Sequence, residues 1–284
     1  MALDLLYKSN YSVEEREILV RDLSGILGGK KVSGRLADRL AVSHGFWLIA
    51  ENLMMEEKVP ALPDTVVWPE TTEDVAEVLR YAHENRVPVY PYGGGSGVLG
   101  GAVSRTGGIS LDLKGMNKIL ELDGENCCVR VQGGMNGKNF EDALNMRGYS
   151  CGNIPQSLYC STVGGWAATK ATGQFSTKYG GVEDMLLGLE AVLPGGEVFR
   201  GEFSPRRSAG PEVFPLFIGS EGTLGVITET VYRIFPLPEK RVFLSFLFST
   251  LGDALKAVKG IIRKDVRPAV VRIYDKPETK RHFH

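Results

Sequence analysis

Thirty-five of the 284 residues are glycine, and 28 of those fall between positions 93 and 225. Glycine lacks a Cβ, reaches positive φ without strain, and lets backbone approach a neighbour closely, at an entropic cost on folding. That makes about 12% of the chain, against a usual ~7%, so the excess must serve something local. Collagen is excluded, because no three-residue period exists and only 14 residues are proline. Low complexity is excluded as well, since 43% hydrophobic and 24% charged residues are ordinary for a globular chain. The length suits about two domains and a sizeable core. The fold must therefore hold a compact region in which bare backbone comes close to itself or to a ligand.

Several function classes drop out on composition. Thirty-three basic against 34 acidic residues give a net charge of −1, and no basic stripe interleaved with aromatics offers a nucleic-acid surface. No apolar run approaches the ~18–20 residues of a membrane span. The N-terminus lacks a basic region followed by an apolar core, so the expected location is the cytoplasm. Cys127, Cys128, Cys151 and Cys160 form no C-x-x-C pair and have no histidine at zinc spacing. No metal site is expected, and the four are read as reduced, buried thiols.

Along the chain, residues 11–27 carry apolar positions at helical spacing and stop at Gly28 and Gly29. Residues 34–54 read as helical or irregular. Val66 and Val67 form a short strand, after which Thr71 caps a helix with Val75, Val78, Leu79 and Ala82 on one face. A strand at 87–91 runs straight into Gly93. Alternation then predicts strands at 109–113, 118–122 and 127–131, a helix at 137–147, a hairpin from 187–193 to 197–200, and a strand at 226–235. Pro236, Leu237 and Pro238 mark a domain boundary. Beyond it, a strand at 241–248, a helix at 252–263 and a strand at 268–274 begin a second unit. Such a β-α-β start cannot close a core alone, so the expectation is a domain truncated at His284 or completed by another chain.

Three glycine segments carry the chemistry. The first is Pro91, Tyr92, Gly93, Gly94, Gly95, Ser96 and Gly97, where successive N–H groups after a strand can form a nest for phosphate oxygens. Gly95, Gly97 and Gly100 formally match a G-x-G-x-x-G fingerprint, but loop and strand follow instead of the required helix. The second segment gathers Gln156, Ser157, Ser161, Thr162, Gly164, Gly165, Thr169, Lys170, Ala171 and Thr172. It combines hydroxyl donors with small residues that leave room for a flat ligand. The third contains Glu221, Gly222, Thr223, Gly225, Val226 and Ile227, a glycine turn entering an apolar strand. Taken singly, each segment is also explained as a packed turn.

In this order, with PDTVVWPETTEDVAEVLRYA ahead of them, the segments resemble the FAD-linked oxidases of the vanillyl-alcohol-oxidase superfamily. That group has a PCMH-type FAD-binding domain and includes D-lactate and glycolate dehydrogenases and alkylglycerone-phosphate synthase. The resemblance runs from about residue 60 to 238 and continues weakly to the end. It implies an α+β fold: a helical segment at 1–59, an FAD-binding domain of two α+β subdomains at 60–238, and the truncated start of a ferredoxin-like α+β cap at 239–284. It implies that the first segment embraces the FAD pyrophosphate, the second lines the pyrophosphate and isoalloxazine, and the third holds the adenine side. Ser96 stands where covalent members often place histidine, which implies non-covalent FAD.

The implied function is oxidation of a small-molecule 2-hydroxy acid by hydride transfer to FAD. The alternatives are a flavin-dependent transferase like alkylglycerone-phosphate synthase, or an FAD-domain fragment inactive without the rest of its cap. Lys170 is a candidate cation beside the flavin, and equally a surface lysine in an ion pair. Arg272 matches the pattern of a cap arginine that approaches the active site, and equally a solvated strand-edge charge.

Overall fold

The computed structural model describes residues 4–201, 203 and 208–282. A capping box starts the first helix, α1 (Val13–Leu27): the Glu15 N–H donates to the Ser12 hydroxyl, and the Ser12 N–H donates back to the Glu15 carboxylate. The helix stops at Gly28, whose φ of +88° few other residues tolerate. Strand β1 (Val32–Ser33) and helices α2 (Leu36–Ala41) and α3 (Leu48–Met55) follow. Next come β2 (Thr65–Val67), α4 (Thr72–Asn85), β3 (Val89–Tyr92) and β4 (Ile109–Asp112). Thr71 and Asp74 form the capping box of α4.

These strands make one sheet in the order β1-β2-β4-β3, with β4 parallel to both β2 and β3, and β1 antiparallel at the edge. The crossover from β2 to β3 through α4 buries Val75, Val78, Leu79 and Ala82, the face read from the sequence. That face shares a core with Leu19 and Leu23 of α1 and with Ile109 and Leu111 of β4.

The second sheet is antiparallel. Its strands are β5 (Ile119–Asp123) and β6 (Cys128–Gln132), then, after α5 (Gly137–Asn145), β7 (Tyr149–Ser150) and three short helices, β8 (Leu186–Val192), β9 (Val198–Arg200) and β10 (Val226–Arg233). The helices are α6 (Val163–Ala168), α7 (Ser176–Tyr179) and α8 (Val182–Met185). The order β5-β6-β10-β8-β9 places the late strand β10 in the centre, and every residue of β8 is buried. Phe140, Trp166 and Tyr232 meet beneath it, with centroids 6.3, 6.2 and 6.2 Å apart. The strand expected to run to 235 breaks at Ile234, and β11 (Phe235–Pro236) pairs with β7 instead.

The two sheets are the two α+β subdomains. Glu190 on β8 ties them together, accepting from Thr72 Oγ1 of the first subdomain at 2.6 Å, and from Thr228 Oγ1 and Arg200 Nε within its own.

Beyond Pro238 the structure departs from the sequence reading. The helix is there, as α9 (Leu251–Arg263), followed by α10 (Lys276–His282), but neither 241–248 nor 268–274 joins a ladder. Apolar alternation supplies a strand's faces, whereas a ladder also needs a partner's N–H and C=O groups in register, and no such ladder forms here among the described residues. The cysteines are free thiols, but only Cys151 is fully buried; Cys127, Cys128 and Cys160 are half-exposed. Among the described residues no helix is long and apolar enough to cross a membrane, and no cluster could hold a metal ion.

Candidate cofactor-binding cleft

β3 delivers the first glycine segment to a cleft of about 370 Å³ lined by all three segments. Within the loop, the N–H groups of Gly94, Gly95, Ser96 and Gly97 donate to no protein acceptor among the described residues. Gly95 has φ +67°, and a side chain on Gly97 would meet nothing within 4 Å on the open side. Four free donors on a bare, half-exposed backbone make an anion nest. Pro91 and Gly93 complete this wall. Tyr92, also expected in the site, lies behind it, buried, with its hydroxyl donating to the His44 carbonyl at 3.3 Å. Burial, with Asp112 nearby, pushes that phenol above its usual range.

The second segment faces the first across backbone contacts too close for side chains. A Cβ on Gly94 would collide with the Cys160 carbonyl, and one on Gly93 would sit 2.5 Å from Thr162 Oγ1. Ser157, Ser161, Thr162, Gly164, Gly165, Thr169 and Ala171 all line the cleft. Two of their hydroxyls are held from behind: Ser161 Oγ accepts from Trp166 Nε1 at 2.8 Å, and Thr162 Oγ1 from the Gly165 N–H at 3.3 Å.

Glu221, Gly222, Gly225, Val226 and Ile227 of the third segment form the remaining side. This segment docks on the end of α6, with the Gly219 and Glu221 N–H groups donating to the Ala167 and Ala168 carbonyls at 2.9 Å each. Glu221 takes φ +50° to do so. Thr223 does not line the cleft; its hydroxyl donates to the Ser220 carbonyl.

Four more expected residues lie elsewhere. Lys170 lines neither cavity and pairs through Nζ with Glu183 at 3.6 Å, more than half exposed, which is the surface ion pair the sequence left open. Gln156 and Thr172 line a neighbouring cavity of about 420 Å³, whose opposite wall comes from Arg272, Ile273, Tyr274 and Glu278. Arg272 Nη1 reaches the Tyr274 hydroxyl at 3.4 Å. The sequence reading missed Val98, Leu99, Leu113 and Trp166, which give the cleft apolar surface. The Val98-Leu99 pair, apolar and exposed in a glycine loop, was the available signal.

A glycine loop with free N–H donors, set between two α+β subdomains beside an apolar slot, is the kind of site that suits an anionic nucleotide cofactor. Residues 63–202 match the family described as "FAD binding domain". An alkyldihydroxyacetonephosphate synthase of Caenorhabditis elegans is 35% identical over 241 residues, 84% of this chain and 40% of the relative. A D-lactate dehydrogenase of Anaerostipes hadrus is 35% identical over 217 residues, 76% of this chain and 46% of the relative. A solved alkyldihydroxyacetonephosphate synthase superposes with a TM-score of 0.86 at 31% identity, covering 99% of this chain and 55% of that one. The chain thus spans about half the length, or less, of the proteins it matches. It belongs to this FAD-binding family, and its fold is the PCMH-type FAD-binding fold. Its cofactor is FAD, and the free N–H groups and apolar slot of the cleft fit that dinucleotide.

Proposed function

We propose that this chain serves a flavoenzyme oxidising a 2-hydroxy acid of the D-lactate or glycolate type, with FAD held non-covalently in the cleft and Arg272 receiving the substrate's anionic group. The observation that carries the reading is the second cavity, where Arg272 shares a wall-to-wall space with Gln156 and Thr172 from the segment that lines the flavin side. Arginine's planar fork binds carboxylate or phosphate through paired hydrogen bonds. Bound FAD would supply a two-electron acceptor for the hydride of the carbinol carbon. The residues of the chain hold and orient: Gly94, Gly95, Ser96 and Gly97 offer N–H groups to the pyrophosphate, and Ser161 and Thr162 keep their hydroxyls fixed. Ser96, at the position where covalent members often carry histidine, cannot form that bond to the flavin, which supports non-covalent FAD. In this reading residues 239–284 begin a cap over the substrate. No imidazole lines either cavity among the described residues, so the proposal includes slow turnover by the 284-residue chain on its own.

A flavin-dependent transferase acting on an acyl-glycerone phosphate is the second reading. It is favoured by the solved synthase, whose match covers 99% of this chain, and Arg272 would serve a phosphate as readily as a carboxylate. One anaerobic titration separates the two. Loss of the flavin's visible absorbance on adding D-lactate or glycolate is the expected result. A spectral change with an acyl-glycerone phosphate, and none with the hydroxy acids, replaces the first reading by the second. Silence toward all three sinks both. Denaturing the same holoprotein should leave the flavin in solution, and flavin retained on the polypeptide contradicts non-covalent binding.

A further inference from the structure

The turn at residues 44–47 lies outside the stretch matched to the FAD-binding family, yet it touches the glycine loop at four points. The Phe46 N–H donates to the Gly95 carbonyl at 3.0 Å. Tyr92, at the root of the loop, donates its hydroxyl to the His44 carbonyl. The Trp47 ring lies against Gly100, where an added Cβ would sit 3.0 Å from it. Gly45 is buried, and a Cβ there would meet the Gly95 carbonyl oxygen at 2.6 Å and that of Gly97 at 3.2 Å.

A peptide unit is planar, so fixing its carbonyl fixes the direction of the N–H on the next residue. The Gly95 carbonyl belongs to the same peptide unit as the Ser96 N–H, one of the four donors without a protein acceptor in the loop that lines the cleft. Glycine-rich loops are otherwise loose, and ordering one at the moment of binding subtracts from affinity. We infer that the 44–47 turn is a positioning element for FAD: it holds the carbonyl face of the pyrophosphate loop from behind, so that the N–H face stands ready in the empty protein. Phe46 is 52% exposed, so the effect runs through the backbone and through the missing Cβ of Gly45. The inference rests on FAD occupying the cleft and is independent of which substrate is oxidised.

The test compares the wild-type chain with Gly45→Ala, Phe46→Pro and Phe46→Ala, reading the FAD dissociation constant by flavin fluorescence and the melting temperature of each apoprotein. Wild-type protein that fails to bind FAD overturns the cofactor assignment itself. With wild-type binding in place, Gly45→Ala and Phe46→Pro should weaken FAD at least tenfold, while Phe46→Ala, which keeps the N–H, stays within twofold. The apoproteins should stay cooperatively folded and melt only modestly lower, Gly45→Ala because its overlap with the Gly95 carbonyl costs some stability even as the turn backs off the loop. Unchanged FAD affinity in Gly45→Ala and Phe46→Pro overturns the inference. So does a loss of affinity matched by a large fall in apoprotein melting, because the turn then acts in folding and not in positioning.

Discussion

Gly94 and Lys170 show how differently two residues singled out in one sequence can stand in the fold. At Gly94 two loops that line the cleft meet through bare backbone, and an added Cβ would strike the Cys160 carbonyl and come within 3.0 Å of the Ser161 Cα. Relieving that overlap must part the loops, and overpacking of this kind typically costs ~1–3 kcal/mol. Gly94→Ala should therefore melt lower and bind FAD at least tenfold more weakly. Lys170→Met, which gives up only an exposed pair with Glu183, should keep FAD affinity within twofold. Calorimetric titration of both variants with FAD checks the pair of expectations, and a larger loss in Lys170→Met would bring that cation back to the flavin. Glycine clustering was legible because it reports where a Cβ cannot be tolerated. The direction of Lys170 was not, because a long flexible chain takes its orientation from a partner, Glu183, thirteen positions away in sequence.

At the scale of elements, the sequence showed best what is decided locally. The Thr71 cap read from the sequence sits where α4 begins, and Ser12 with Glu15 forms the same kind of box at α1, since a cap is a contact between residues three apart. The two-residue strands β1, β7 and β11 carry no comparable signal, because each exists only by pairing with a distant segment. The stretches 241–248 and 268–274 are the converse case. Their alternation reads as strand, yet Val242, Phe243 and Leu247 are mostly exposed and no ladder forms. Backbone N–H groups without ladder partners exchange with solvent at low opening free energy. Hydrogen exchange on the FAD-loaded chain should thus show 241–248 exchanging within seconds, while the amides of β10 remain protected. Protection of 241–248 comparable to β10 would mean that these residues do find a sheet in solution.

Across the whole molecule, the segment before the first parallel strand is bound to the FAD-binding region by polar ties as well as by the shared core. Asp64, with no exposed side-chain surface, accepts from Ser9 Oγ, Arg16 Nε and the Gly108 N–H. Lys31 reaches Asp74 at the start of α4. Tyr81, on the far turn of α4, donates its hydroxyl to Asp22 of α1 at 3.1 Å. This last tie has a readable pH signature. Burial first, and then the Asp22 carboxylate it serves, push the Tyr81 phenol from 10.0 up to about 12. The native state therefore keeps a proton that the unfolded chain begins to lose near pH 10, so the stability the tie contributes is complete below that value and drains away as pH rises toward 12. Tyr81→Phe removes both the hydrogen bond and the titrating group. At neutral pH it should cost about 1 kcal/mol, the usual net worth of one such bond, and the difference from wild type should shrink as the pH climbs through that window. Urea unfolding of the two apoproteins at neutral pH and at a series of alkaline values measures it. A gap that stays constant with pH would show that the phenol titrates no differently in the folded chain, and that α1 is held to α4 by its apolar face alone.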